Sequence, residues 1–166
     1  MSKALKTPST QADYAVRFVT HDDVPVVLAL VRDVLAEYGF RFGIGAETDA
    51  ELADLPGSYL HRGGAFWVLV DGSGTIVGTC GLFPVGEGVF ELRKMYLVPA
   101  VRRRGLGQRL LDEALGWARR AGGCRIVLDT AEQMKRAIEF YERNGFVRDD
   151  EQIRGARCTR GYSRSL

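Results

Sequence analysis

Polar and apolar positions change rhythm several times along the chain, and each change marks an element. The segment Tyr14 to Thr20, YAVRFVT, alternates and predicts a strand. His21, Asp22 and Asp23 then supply helix-start chemistry, and Val24, Val27, Leu28, Val31, Val34 and Leu35 recur at three- and four-residue spacing. That helix should end near Tyr38 and Gly39. After the glycine-rich GFRFGIGAE, Thr48 is placed to cap a short second helix through TDAELADL. AFWVLV, the turn DGSG and TIVGTCGLFPV read as a hairpin, and VFELRKMYLV as a third consecutive strand.

The period then lengthens. Leu106, Leu110, Leu111, Ala114, Leu115 and Ala118 line one face of a helix running to about Ala121, where Gly122 and Gly123 stop it. RIVLDT is a short buried strand, MKRAIEFYERNGF a helix closed by Asn144 and Gly145, and Phe146 with Val147 opens one more strand. The order β-α-α-β-β-β-α-β-α-β is α+β to α/β, with antiparallel hairpins early and a βαβ unit late. Residues 1–12 are polar and aperiodic and are expected to form a flexible tail, leaving 13–166 as a single domain. The last segment, EQIRGARCTRGYSRSL, is nearly without aliphatic residues and is expected to be too polar for a core strand.

Composition narrows the function class. A hydrophobic fraction of 46% and a charged fraction of 27% are those of an ordinary soluble protein. No apolar run approaches the roughly 20 residues a membrane span needs. The N-terminal stretch lacks an apolar signal core, so cytoplasmic residence is the expectation. Cys80, Cys124 and Cys158 are far apart and odd in number, which fits a reducing compartment, and with only His21 and His61 beside them no metal site is expected. A net charge of +2 is too small for a nucleic-acid binder, which would need a broad basic face with stacking aromatics.

The informative chemistry lies in Met95 to Gly107, MYLVPAVRRRGLG: a strand end, a short loop, and two glycines entering an amphipathic helix. Helix N-termini leave backbone N–H groups unpaired and favour an anion. Gly105 and Gly107 keep side chains away from that backbone, and the arginines add charge. The pattern is a pyrophosphate cradle; its plain alternative is a glycine-tightened turn with a solvated basic face. Neither GxxxxGK[ST] nor GxGxxG is present, which excludes the two best-known phosphate loops.

Arg102-Arg103-Arg104-Gly105-Leu106-Gly107 resembles the [Gln/Arg]-x-x-Gly-x-[Gly/Ala] signature of the GNAT N-acetyltransferase superfamily. Ala137 to Phe146, AIEFYERNGF, resembles its second signature, A-x-x-x-Y-E-x-x-G-F, in the right order and spacing. The similarity covers roughly Tyr14 to Val147 in element order. It implies a GNAT fold: a central mixed, mostly antiparallel sheet of six to seven strands flanked by about four helices, splayed between its fourth and fifth strands.

It also implies an acetyl-CoA cosubstrate and acetyl transfer to a primary amine. By that resemblance, backbone groups of Met95, Tyr96 and Leu97 pair with the pantetheine like an added strand. The Arg102-Arg103-Arg104-Gly105-Leu106-Gly107-Gln108 stretch holds the pyrophosphate, through the N–H groups of residues 103–108. Tyr141 matches the tyrosine that protonates the departing thiolate, a core aromatic being the plain alternative. The family often carries an asparagine seven residues before this tyrosine; here the position is Met134, and its contact is either lost or passed to Gln133.

An alkyl ammonium near pKa 10.4 is only about a thousandth neutral at pH 7, so a base or water relay helps. Glu91, eleven residues before Arg102, matches the spacing of the catalytic glutamate in some GNAT enzymes. Its plain alternative is a glutamate paired with Arg93 or Lys94. Asp129 is the second candidate base, with a turn-capping role as its alternative.

The family's acceptor site is flanked by the first helices, here Tyr38 to Tyr59, where Phe40, Phe42 and Tyr59 mix with Glu47, Asp49, Glu51 and Asp54. Such a lining suits a cationic amine, its plain alternative being solvated acids on a capped surface helix, and it fits a small molecule, a peptide N-terminus or a protein lysine alike. The competing class is a non-catalytic acyl-CoA sensor. Family members often dimerise through C-terminal strands, so a homodimer, or a monomer with a loosely packed tail, is expected.

Overall fold

The computed structural model describes residues 13–166; the expected tail at 1–12 lies outside the described residues. Strand β1 (Ala15–Phe18) leads into α1 (Val24–Glu37), and a 3-10 stretch Glu47–Asp54 precedes the short α2 (Gly57–Leu60). Then come β2 (Ala65–Val70), β3 (Ile76–Gly86) and β4 (Val89–Leu97), followed by α3 (Leu106–Arg120), β5 (Arg125–Thr130), α4 (Lys135–Arg143), β6 (Val147–Arg148) and β7 (Arg160–Ser165). No helix among the described residues is long and apolar enough to cross a membrane.

The seven strands form one sheet in the order β1-β2-β3-β4-β5-β7-β6. Among the described residues, only β4 and β5 run parallel. Each face carries a separate core. Leu106, Leu110, Leu111, Ala114, Leu115 and Ala118, the six residues of the expected α3 stripe, are buried on one face with Ile138 and Tyr141 of α4. Val27, Val31, Val34 and Leu35 of α1 pack on the other with Leu52 and Tyr59. Asp23 fixes the entry to α1, accepting from Thr20 N–H at 2.7 Å and pairing with Arg17 at 2.7 Å. The 3-10 stretch differs from the expected helix: its N-cap is Ala46, not Thr48.

Two departures from regular pairing position the site. In β4, Thr79 pairs with Tyr96 and Gly81 with Arg93, so Lys94 and Met95 together face Cys80. This bulge puts Lys94 at φ 52°, and the Thr79 hydroxyl donates to its carbonyl at 2.7 Å. The β4–β5 pairing covers only Val89 to Glu91 against Arg125 to Val127, although β4 continues to Leu97 and β5 to Thr130. Beyond Glu91 the two strands diverge.

The polar C-terminal segment corrects the sequence expectation. Arg160–Ser165 is a full strand pairing with β5 along its whole length, from Arg125↔Ser165 to Thr130↔Arg160. One inward ring suffices to anchor it: Tyr162 is fully buried and its hydroxyl donates to Glu142 at 2.9 Å. Arg160 and Arg164 remain at the surface side, pairing with Glu132 and lying over the Phe146 ring.

Candidate active site

The divergence of β4 from β5 opens a cleft of about 1390 Å³, walled by β4, α3, α4 and the loops after α1 and β6. On its β4 wall, residues 92–97 pair, among the described residues, only with β3, so apart from the Leu97 carbonyl, which Arg102 occupies, their outward backbone groups form an open strand edge. At its mouth Gly105 adopts φ 74° and caps α3. The first backbone bond of that helix is Arg109 N–H to Gly105 O, so the N–H groups from Gly105 to Gln108 have no carbonyl behind them. A Cβ added at Gly107 would touch Leu97 at 3.7 Å and Met95 and Phe140 at 3.9 Å, ordinary contact distances, so a single carbon fits there without a clash. An extended amide arm ending in a diphosphate matches these features.

The arginines divide their work differently from the sequence expectation. Arg102 donates to Leu97 O at 2.9 Å and forms a two-pronged pair with Glu37, at 2.7 and 2.8 Å, tying the end of β4 to α1. Arg104 turns to Tyr14, donating to its hydroxyl at 2.9 Å. Arg103, in left-handed backbone at φ 62°, is exposed at the cleft. Gln108 bridges to Asn144 at 2.8 Å, tying α3 to the end of α4.

Tyr141 is in the cleft lining and 8% exposed, packed against the Phe140 and Phe146 rings. Burial, reinforced by Tyr96 and Cys80, pushes its hydroxyl well above the usual tyrosine range, so it stays protonated. Met134 sits at the N-cap of α4, buried against Thr130, with Gln133 beside it at the cleft.

Glu91 lines the cleft on the bulged wall and is 4% exposed. It accepts from Arg93 at 2.8 Å, and Arg93 also reaches Glu51 at 2.9 Å. The pairing expected as its plain alternative is therefore real, and both carboxylates still border the cleft. Asp129 accepts from the N–H groups of Arg154 at 2.8 Å and Gly155 at 2.9 Å. Its turn-capping role is real too: it fixes the C-terminal loop over the cleft.

Sequence reasoning missed the contribution of that loop, and it named Asp49 as an acid flanking the acceptor region but not as the buried partner of two cations. Asp49 is fully buried, accepting from Gly43 N–H at 2.7 Å, from Arg157 at 2.9 and 3.0 Å, and from Lys94. Burial alone would raise its carboxyl, but hydrogen bonds from Arg157 and Lys94 outweigh it and hold the group below the ordinary range. Three cleft segments thus meet on one carboxylate. Of the other expected lining residues, Tyr59 is core, while Tyr38, Phe40, Glu47 and Glu51 do border the cleft.

A family model described as Acetyltransferase (GNAT) family matches residues 29–146. The chain belongs to that family. The Escherichia coli (strain K12) protein named Uncharacterized N-acetyltransferase YjgM is 37% identical over 138 residues, covering 81% of this chain and 82% of that one. Probable N-acetyltransferase family 8 member 5 of Mus musculus is 32% identical over 126 residues, 73% of this chain but 55% of the mouse protein.

Among solved structures, a GNAT-family acetyltransferase from Staphylococcus aureus Mu50 superposes with a TM-score of 0.85 at 22% identity, over 92% of this chain and 99% of that one. The PaiA N-acetyltransferase of Thermoplasma acidophilum, solved with coenzyme A, gives 0.73 at 18% identity, over 92% and 99%. The GNAT fold expected from the two signatures is present, parallel β4–β5 pair and splay included. The protein is an acyltransferase of this family.

Proposed function

We propose that this protein is an acetyl-CoA-dependent N-acetyltransferase that acetylates a primary amine by direct attack in a ternary complex. The observation that carries the reading is the gap between β4 and β5, open-edged along one wall and ending at the unpaired N-terminus of α3. Neighbours of the same fold were solved with acetyl-CoA or CoA, including the phosphinothricin acetyltransferase of Sinorhizobium meliloti. Bound here, the cosubstrate supplies a thioester carbonyl to be attacked and a thiolate to depart.

Met95, Tyr96 and Leu97 hold the pantetheine arm through their backbone, and the N–H groups at the start of α3 hold the diphosphate. Arg103 adds charge there, while Arg102 and Arg104 brace the loop. Glu91 takes a proton from the acceptor nitrogen, directly or through one water. The nitrogen–carbon bond forms, the carbon–sulfur bond breaks, its electron pair goes to sulfur, and Tyr141 gives the thiolate a proton. Glu91 and Tyr141 then exchange protons with solvent. Cys158, also at the cleft, does not favour an acyl-enzyme route: burial, followed by Asp129, pushes its thiol up to about 12.

A screen of CoA release across amine classes supplies the acceptor. With that acceptor, Glu91→Gln should lower kcat/KM by about 10²–10⁴ at neutral pH with acetyl-CoA binding intact. Tyr141→Phe should slow turnover without a large change in acceptor KM. If Glu91→Gln stays active and Asp129→Asn does not, the base is Asp129. Acetyl-CoA binding without turnover on any amine would favour the sensor reading.

A further inference from the structure

The acceptor end of the cleft carries two charge clusters on one wall. In the first, Glu91 and Glu51 share Arg93, and the negative charge this leaves over is faced by Arg154 at 3.9 Å. In the second, which begins at the next residue of β4, Lys94 and Arg157 share Asp49, and two cations against one carboxylate leave one positive charge over.

Arg154 stands beside the first cluster. Its backbone N–H is fixed by Asp129, yet its side chain is 55% exposed. Its Nε lies 3.9 Å from Glu91 Oε2, beyond hydrogen-bond length, and no other carboxylate of the described residues is in ion-pair range. A fixed backbone thus presents an arginine fork with spare donors next to the carboxylate placed to receive the amine proton.

We propose that the acceptor is a zwitterion: an α-amino acid, or a larger compound that keeps a free amine and a carboxylate on one carbon. This rests on the N-acetyltransferase reading above. Its carboxylate meets the Arg154 fork, with the Lys94–Asp49–Arg157 cluster adding positive potential behind. Its amine faces Glu91, one carbon away. A polyamine would bring its second cation against Arg154, and a simple alkylamine would leave the fork unused.

The test compares free amino acids with their amides and with the matching decarboxylated amines. Rates of CoA release are compared at equal concentration of neutral amine, because removing the carboxylate's charge changes the ammonium pKa. Free acids should exceed amides in kcat/KM by about tenfold to a hundredfold, the range of a charge-assisted hydrogen bond. Arg154→Gln should erase that preference through KM, and Arg154→Lys, which keeps charge but not the fork, should retain part of it. Calorimetric acetyl-CoA binding reports an intact cleft in each variant.

Amides or decarboxylated amines reacting as well as the acids, or a preference that survives Arg154→Gln, overturns the proposal while leaving N-acetylation standing. If acetyl-CoA binds but no amine of any kind releases CoA, the enzyme reading falls and takes this proposal with it.

Discussion

Replacing Asp49 tests how the proposed acceptor wall is held together. The carboxylate has no exposed surface and is the common partner of Lys94, Arg157 and the Gly43 N–H. Asp49→Ala strands two cations whose side chains are only 4% and 9% exposed, and removing one partner of a buried ion pair typically costs about 3–5 kcal/mol. Against a total stability of about 5–15 kcal/mol, that is a large share. Asp49→Asn recovers only part of it, since its amide nitrogen places donors against donors.

The pH dependence follows from the carboxyl being held below its ordinary range. Its contribution is fully present above the unfolded value, near 3.9, and fades as pH falls through the lower folded value. Urea unfolding at neutral pH should therefore show a reduced midpoint in both variants, and the gap to wild type should narrow only in strong acid. A neutral-pH loss below about 1 kcal/mol would refute the reasoning, because surface pairs, not buried ones, behave that way. So would a gap unchanged down to the acid transition.

Gly107→Val should fold, since its Cβ meets nothing nearer than 3.7 Å, but should largely abolish acetyl-CoA binding in calorimetry; unchanged affinity would rule the cradle out. Gly161→Ala should lower thermal stability by about 1–3 kcal/mol, because the new Cβ would lie 2.2 Å from Asp149 O in the β6–β7 turn; a neutral result would contradict a tightly packed β7. Wild-type kcat/KM should rise with pH along a limb that Glu91→Gln removes, as a pH–rate profile would show; a limb that persists in the mutant assigns the base elsewhere.

Elements whose side chains report their own surroundings were legible, and contacts between distant segments were not. The α3 stripe and the β2 and β5 boundaries follow from local periodicity, because one helix face or one buried strand repeats its chemistry every few residues. The glycines of the α3 entry were legible for a different reason: a positive φ and an approach to bare backbone leave few residue types eligible.

β7 defeated the same logic. Its stability comes from backbone pairing on both sides and from one buried tyrosine, so RGYSRS has no aliphatic alternation to display. That misreading concealed part of the site, since the segment that looked like a polar tail carries Arg154 and Arg157 to the cleft just before it pairs. Asp49 was hidden likewise. Its partners lie 45 and 108 residues away, and an aspartate in a polar stretch looks solvated until the fold brings two cations onto it. The proposed cofactor end, built from backbone and glycine, is thus the half a sequence can announce. The proposed acceptor end, built from charges converging from three segments, becomes readable only when those charges are placed in space, and the exposed Arg154 fork beside Glu91 gives the prediction of a zwitterionic substrate.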